Sequence, residues 1–368
     1  MQEITKNILE KLETLRCKIN ENVEYMILKY DLSNNKNHWN CICSAMDWID
    51  VAKENIDSDL IRKEFKYMWK DVYSYLSAVD IIVDGIIQIH RVVFETKDTI
   101  FKDNTIFKNN LNKNDYEYFK HIRAVFGAHP VNIDEKGNKK YASWITQGIF
   151  TDYDFAVLIY DSNKDNQLSK QFGFKINEIN QFLWKYVQYL DKIYLQISKK
   201  QEEFIKNKKE KAIKKSDSVL EQIDILMQEN EKRLNSEFYE QILKELKIIF
   251  TTEIKQKENQ MSVLQYQEVL KKGIDEIYYS LQNMKHTDLK VYDDLNPKYS
   301  NKDGFGYAFG KLTSIVHTKN YEYPFEIIRK DLEKNISNNM ICNYDTYEEL
   351  YVILLTSLYM DSMAEIKW

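Results

Sequence analysis

The chain has 368 residues, of which 43% are hydrophobic, 30% charged and 13% aromatic, and its formal net charge is −5. This composition excludes a wholly disordered chain, and the negative charge excludes a polycation that coats nucleic acid by charge alone. Nine glycines and three prolines are few for this length. Because strand-rich folds need many turns, the scarcity favours long helices.

The N-terminal region predicts a helix. Residues 3–30 place apolar side chains at helical spacing. The first residues carry acids and lack the apolar core of a signal peptide. No apolar run along the chain approaches the roughly 20 residues that a membrane helix needs. We therefore expect a cytoplasmic protein that does not enter a membrane.

A long helix is predicted next, with Asp57, Ser58 and Asp59 offering an N-cap and the pattern continuing to Phe94. Its second half, residues 78–94, is apolar on nearly every side and is typical of a central core helix. His90 and Arg91 lie at its far end. They are candidate residues of a functional groove, and a buried, hydrogen-bonded histidine is the structural alternative for His90.

The following helix carries the sequence FKHIRAVFGAHPVN, residues 119–132. Asn114 and Asp115 cap its start, and Pro130 disfavours helical geometry at His129, so the helix is expected to end there. Beyond it, YASWI, DFAVLIYDS and KQFGFKI alternate with period 2. These runs predict a small antiparallel sheet over about residues 141–176. Helical spacing returns from Ile179.

The charged segment from residue 199 to residue 215 holds eight lysines and three glutamates. It is either a solvated charged helix or an arm that guides RNA, and it is the candidate domain boundary. We expect a helical domain with the sheet at 1–200, a basic helix or linker at 201–215, and a helical C-terminal domain at 216–368. The predicted fold class is mainly α.

The pair Arg123 and His129 suggests chemistry on RNA. A guanidinium binds phosphate through a two-pronged fork, and an imidazole exchanges protons near neutral pH. On a regular helix the two side chains would face different directions. Gly127 and Pro130 loosen and stop the last turn, which lets His129 fold back toward the face of Arg123. Such a pair cleaves RNA without a metal ion or cofactor.

The segment IRAVFGAHPVN has an arginine and a histidine at the spacing R-x(4–6)-H near the end of a helix. In this motif and its helical setting, the chain resembles the HEPN superfamily of prokaryotic ribonucleases and toxins. The resemblance covers about residues 40–200 and implies a HEPN-like helical bundle with a small sheet insertion. It also implies a metal-independent endoribonuclease that acts in a stress or anti-phage response. The resemblance assigns catalytic roles to Arg123 and His129 only. Asn132, His90 and Arg91 are further candidate groove residues that the resemblance does not assign.

The same resemblance implies partners and raises an alternative function. HEPN proteins form homodimers in which two motifs face one RNA groove, and an antitoxin or regulatory protein is a candidate partner. The residue after the arginine is usually polar in active members, whereas this chain has Ala124. The alternative is therefore an inactive HEPN-like scaffold that binds RNA or a partner protein. A third interpretation is structural: cations at a helix C-terminus that stabilise its dipole.

Two further patterns carry less chemistry. Lys311 and His317 repeat the spacing of Arg123 and His129, as a degenerate duplicate or by chance, and lysine is a poor substitute where a fork is needed. No zinc spacing, HExxH motif or paired metal ligands occur, so no metal site is predicted. The cysteines, expected to be reduced and mostly buried, are Cys17, Cys41, Cys43 and Cys342.

Overall fold

The protein is mainly α-helical with a small antiparallel sheet, as the sequence predicted. The chain divides into two compact units, Met1–Glu202 and Glu203–Trp368. The computed structural model describes residues 2–31, 36–56, 69–108, 112–128, 133–135, 139–145, 152–161, 170–299, 304–321, 324–333 and 346–365.

The first unit is built on helices. Their bounds are α1 Gln2–Asn20, α2 Val23–Tyr30, α3 His38–Lys53, α4 Trp69–Val93, α5 Asp115–Arg123 and α6 Ile176–Glu210. The single helix predicted over residues 3–30 is divided into α1 and α2. The break falls at Glu21 and Asn22, where the Asn22 N–H bonds to the Ile19 carbonyl at 3.1 Å, and asparagine favours turns over helix interiors. α6 runs across the division between the units.

α4 is the core helix of the first unit, as its apolar pattern predicted. Ile82, Val83, Ile86 and Ile89 are completely buried. α3 packs so closely on α4 that a Cβ atom on Gly85 would stand 2.8 Å from Ile49. The expectation that no apolar run approaches the length of a membrane helix was wrong for α4, which is long and apolar enough to cross a membrane, but 67% of its most apolar 18 residues is buried inside the protein. The predicted N-cap at residues 57–59 lies outside the described residues.

α5 begins as the sequence predicted. The Asn114 side chain accepts a hydrogen bond from the Glu117 backbone N–H, and the Glu117 carboxylate accepts one from the Asn114 N–H. This reciprocal pair is a capping box, which satisfies two N–H groups that the first turn leaves unpaired. After Arg123 the helix continues as a wider π-helical turn, Ala124–Ala128. The expected end at His129 lies outside the described residues.

The sheet has four antiparallel strands in the order β1-β2-β3-β4. Their bounds are β1 Ile133–Glu135, β2 Lys139–Ile145, β3 Phe155–Asp161 and β4 Lys170–Phe174. β1 precedes the segment in which the sheet was expected. Phe155 pairs with Phe174, and Val157 pairs with Phe172. Phe155, Val157 and Phe174 are buried, so this face of the sheet covers part of the core.

Within its described residues, the second unit is built of helices joined by turns and loops, and it contains no strand. Its helices are α7 Val219–Arg233, α8 Glu237–Thr251, α9 Lys257–Gln282, α10 Val291–Leu295, α11 Phe305–Thr318, α12 Phe325–Leu332 and α13 Tyr347–Glu365. α13 is its central helix, because every residue from Leu350 to Leu355 is buried.

A tight turn separates α7 from α8, where the sequence pattern indicated helix. Asn235 adopts a left-handed conformation with φ 49°, which asparagine tolerates better than most residues. Ser236 caps α8 by accepting a hydrogen bond from the Tyr239 N–H. The Asn230 side chain bridges the turn to both backbone groups of Ser236. The helical periodicity on both sides conceals this break.

Candidate functional site

Arg123 is held by a buried carboxylate. Its Nε lies 2.8 Å from Oδ2 of Asp80, whose side chain is 8% exposed, while the Arg123 side chain is 41% exposed. The ion pair joins α5 to α4. A contact through Nε leaves the two Nη groups, which form the other edge of the guanidinium, geometrically suited to a second anion.

Lys120 binds the same carboxylate one helical turn earlier. Its Nζ lies 2.5 Å from Oδ1 of Asp80 and 2.7 Å from Oδ2 of Asp84. Burial by itself would lower the pKa of Lys120, but the hydrogen bonds to the two carboxylates outweigh burial and raise that pKa. The Tyr116 hydroxyl donates to Oδ1 of Asp84 at 3.0 Å, and burial raises the pKa of Tyr116.

We call Asp80, Asp84, Lys120 and Arg123 the acid–base cluster. Lys120 precedes Arg123 on α5, whereas Asp84, which pairs with Lys120, follows Asp80, which pairs with Arg123, on α4. α5 therefore lies antiparallel to α4. Two carboxylates face two cations, and the cluster therefore has no formal net charge. It fixes Arg123 firmly and at the same time reduces the local positive potential around it.

The π-helical turn after Arg123 is anchored against the sheet. Val125 and Phe126 are buried, and the Ser143 hydroxyl of β2 donates to the Val125 carbonyl at 3.0 Å. The ring of Phe126 packs edge-on against Phe174, with centroids 4.9 Å apart. π-helical turns are rare and frequently occur at functional sites. The chain that follows Arg123 is thus anchored to the sheet at Val125 and Phe126.

His90 and Arg91 do not lie beside Arg123. Ten residues separate His90 from Asp80 on α4, a distance of about 15 Å along the helix. His90 is buried, its Nδ1 lies 3.0 Å from the Tyr189 hydroxyl of α6, and its ring packs on Phe94. Burial, with a smaller contribution from Arg91, lowers the pKa of His90. Arg123 pairs with Asp80 near the middle of α4, so His90 and Arg91 lie about three helical turns from that contact, toward the C-terminal end of α4.

The other predicted catalytic and groove residues, His129 and Asn132, lie outside the described residues, as does Pro130. Ala124, which follows the arginine, is half-buried as the first residue of the π-helical turn. The structure therefore describes one member of the predicted catalytic pair.

Lys311 and His317 take separate partners in the second unit. Lys311 lies over the Tyr307 ring at 5.5 Å. Nε2 of His317 lies 2.7 Å from Oε2 of Glu245, and the Tyr351 hydroxyl donates to Oε1 of that carboxylate at 2.6 Å. Burial raises the pKa of Tyr351. His317 therefore joins α11 to α8, and its contact with Glu245 is that of an interhelical brace.

Within the part of the chain that the structure describes, no group of three or more His, Cys, Asp or Glu side chains is arranged to hold a metal ion. Cys17, Cys41 and Cys43 are free thiols; Cys17 is exposed and the other two are half-buried, which differs from the buried positions expected. Cys342 lies outside the described residues.

Comparison of the chain with protein-family models, curated proteins and solved structures finds no match. The HEPN resemblance therefore depends on the motif and its helical setting.

Asp80 and Asp84 are the site residues that sequence reasoning missed. They stand four residues apart in the otherwise apolar run VDIIVDGII, and this spacing places them on one face of a helix. A carboxylate that a core helix buries needs a partner. The two acids within the apolar run were thus the available signal for a cation on a neighbouring helix.

Proposed function

We propose that this protein is a metal-independent endoribonuclease of HEPN type, in which Arg123 binds the scissile phosphate and His129 transfers a proton. One observation supports this proposal most directly. The guanidinium of Arg123 is held through Nε by the buried Asp80, while 41% of the side chain remains exposed. An arginine fixed from behind in this way presents its Nη edge in a defined orientation, which favours bidentate contact with a phosphate.

The reaction is a transesterification followed by release. The RNA 2′-oxygen forms a bond to phosphorus as the bond to the 5′-oxygen of the next nucleotide breaks. One proton leaves the 2′-hydroxyl and one is supplied to the departing 5′-oxygen, and His129 performs one of these transfers. Arg123 stabilises the negative charge on the phosphorane. The products are a 2′,3′-cyclic phosphate and a 5′-hydroxyl.

The biological setting follows from the HEPN resemblance. We infer a cytoplasmic homodimer in which two motifs face one RNA groove, acting in a stress or anti-phage response under the control of an antitoxin or regulatory protein. Light scattering at micromolar concentration tests the dimer. A monomer under these conditions would contradict this arrangement.

The activity test uses purified full-length protein with single-stranded RNA and a chelator. Wild type should cleave RNA, leave DNA intact and yield 2′,3′-cyclic phosphate ends, because the nucleophile is the 2′-hydroxyl. His129→Ala should reduce the rate by roughly 10²- to 10⁴-fold. Arg123→Lys should also reduce it, since lysine keeps the charge and loses the fork. Arg16→Lys, at an arginine of α1 that pairs with Asp47 and Asp50, is the matched control and should leave the rate unchanged.

Two outcomes would overturn the enzyme proposal. Cleavage that persists in His129→Ala would assign the activity to another site or to a contaminant. Wild-type protein that binds RNA and cleaves none would favour the second candidate function, an inactive scaffold. That candidate is favoured by Ala124 at a position that is usually polar and by the acid–base cluster, which carries no net positive charge to attract a substrate.

A further inference from the structure

A dense row of lysines follows the division between the units. We call Lys206, Lys208, Lys209, Lys211, Lys214 and Lys215 the lysine ridge. It lies on the last turn of α6 and the non-helical stretch that follows it, and all its members are exposed except Lys208, which is half-buried. Glu210 is the one acid among residues 206–215, so these ten residues carry a formal charge of +5.

The backbone of the lysine ridge is clamped by a buried arginine. Arg233 of α7 donates from Nη1 to the Lys208 carbonyl and from Nη2 to the Lys211 carbonyl, both at 2.6 Å. Its Nε pairs with Glu229 at 2.6 Å, and its side chain is 0% exposed. These bonds satisfy carbonyl groups that a helix C-terminus leaves without partners.

A second clamp comes from α9. The Gln282 side chain donates to the Lys209 carbonyl and accepts from the Ile213 N–H, both at 2.8 Å. The Tyr278 hydroxyl donates to the Ile213 carbonyl at 3.3 Å, and the Ile213 side chain is buried. The backbone of the ridge is thus fixed within the second unit, while all of its lysine side chains except that of Lys208 are exposed.

The charge of the ridge is only partly neutralised. Lys214 pairs with Glu221 at 2.8 Å, and Lys206 approaches Glu210 at 4.0 Å. Of the described carboxylates, none lies within ion-pair distance of Lys208, Lys209, Lys211 or Lys215.

Lys208 shows the effect of this crowding. Burial lowers the pKa of Lys208, and Arg233, Lys211 and Lys232 lower it further against the opposing effect of Glu229. The fold therefore holds like charges together at a cost that a bound polyanion would offset.

We propose that the lysine ridge is a binding site for the sugar–phosphate backbone of single-stranded RNA, which it holds by charge without reading the bases. The choice of RNA rests on the proposed function, since RNA is the substrate class inferred there. A lysine ammonium group is a compact charge that binds phosphates in many orientations. Protein interfaces, by contrast, are depleted in lysine and depend on aromatic and arginine anchors. The rings nearest the ridge, Phe204 and Tyr278, are covered by Lys208 and Lys215.

The test measures binding separately from cleavage. A fluorescent single-stranded 2′-O-methyl RNA lacks the nucleophilic hydroxyl, so its anisotropy reports binding alone. The ridge variant replaces Lys206, Lys209, Lys211 and Lys215 with glutamine in the full chain. The matched control replaces four exposed lysines elsewhere in the second unit, namely Lys257, Lys272, Lys298 and Lys330. Both variants change the net charge by the same amount and keep Arg233, Gln282 and Tyr278.

We expect the ridge variant to bind the RNA more weakly than the control and with a smaller dependence on salt. Four phosphate contacts on a single strand contribute about 3 to the slope of log affinity against log salt. This contribution corresponds to about a 50-fold loss of affinity as the salt concentration rises from about 50 to 200 mM. The ridge variant, which lacks the four lysines, should lose this part of the salt dependence. A single-stranded DNA of the same length should show the same lysine dependence, because phosphate contacts do not involve the 2′-hydroxyl.

If the ridge variant and the matched control bind the RNA with equal affinity and equal salt dependence, the lysine ridge is not the binding site. Tighter binding of polyglutamate than of RNA at matched charge would overturn the choice of ligand. The two proposals can also fail separately. If wild type cleaves no RNA but the ridge variant loses binding, the nuclease proposal fails and the binding site stands. If RNA is cleaved and the variants bind alike, the binding site fails and the nuclease proposal stands.

Discussion

Asp80→Asn tests whether the acid–base cluster holds Arg123 in place. The change keeps the shape of the side chain and removes the charge that pairs with Nε of Arg123 and Nζ of Lys120. Two cations then face one carboxylate, that of Asp84. The asparagine can still accept hydrogen bonds, so the variant isolates the electrostatic contribution of the buried carboxylate.

The size of the effect follows from burial. Removing one partner of a fully buried ion pair costs roughly 3–5 kcal/mol, because an uncompensated charge remains. Here Lys120 and Arg123 are 30% and 41% exposed, so water screens part of the lost attraction. We therefore expect a loss of about 2 kcal/mol in the free energy of unfolding. For a unit of this size that corresponds to a fall of about 4–8 °C in Tm.

The assay compares this variant with Asp84→Asn. The Asp84 side chain is 44% exposed, and an ion pair at such a position contributes at most about 1 kcal/mol. Chemical denaturation of both variants gives the two losses, and a double-mutant cycle of Asp80→Asn with Arg123→Met gives the coupling between the paired residues.

Two results would refute this reasoning. A loss for Asp84→Asn that equals or exceeds the loss for Asp80→Asn would show that burial does not set the strength of the cluster. A coupling energy below about 0.5 kcal/mol would show that Asp80 and Arg123 act independently, and the proposed positioning of the guanidinium would fail with it.

Two further predictions concern buried polar groups. Burial lowers the pKa of His90 from its usual 6.5. Below that pH the unfolded chain binds a proton at His90 more readily than the folded unit does, so the free energy of unfolding falls as the pH drops. Urea denaturation at about pH 7.5 and 5.5 should show this fall, and His90→Gln should reduce it; an unchanged difference would assign the effect to another group. Arg233→Met leaves Glu229 and two carbonyls without their donor and should cost about 3–5 kcal/mol. The exposed neighbour Lys232→Met should stay within about 0.5 kcal/mol, and similar losses for the two would contradict the clamp.

Local signals explain which elements the sequence predicted. The capping box at Asn114 and Glu117 is complete within four residues, and the three predicted strands are runs of five or more residues that contain aromatic and β-branched side chains. β1 was missed because the three residues of Ile133–Glu135 are too few to show a period. The π-helical turn was also missed, since Ala124–Ala128 contains nothing that distinguishes it from an α-helix that is about to end.

The candidate site was predicted only in part because its contacts are distant in sequence. The motif identifies Arg123 from its own segment, but Asp80 lies 43 residues earlier and is selected by the packing of α5 on α4. The position of that contact at the middle of α4 also decides how far His90 lies from Arg123. Arg233 presents the same difficulty, because its partners at Lys208 and Lys211 are backbone carbonyls, which leave no signature in the side-chain sequence.

The π-helical turn has a consequence for how the motif can change by insertion or deletion. A π-helical turn closes its hydrogen bond over one more residue than an α-helical turn, so it absorbs a single extra residue without unwinding the helix before it. The buried contacts of Val125 and Phe126 with the sheet fix where such a residue would be taken up. We therefore expect that an insertion of one residue between Arg123 and His129 would leave the packing of α5 on α4 intact, which thermal denaturation of such a variant would check. A search for relatives should allow the gap between Arg123 and His129 to vary while requiring the carboxylate that stands at Asp80.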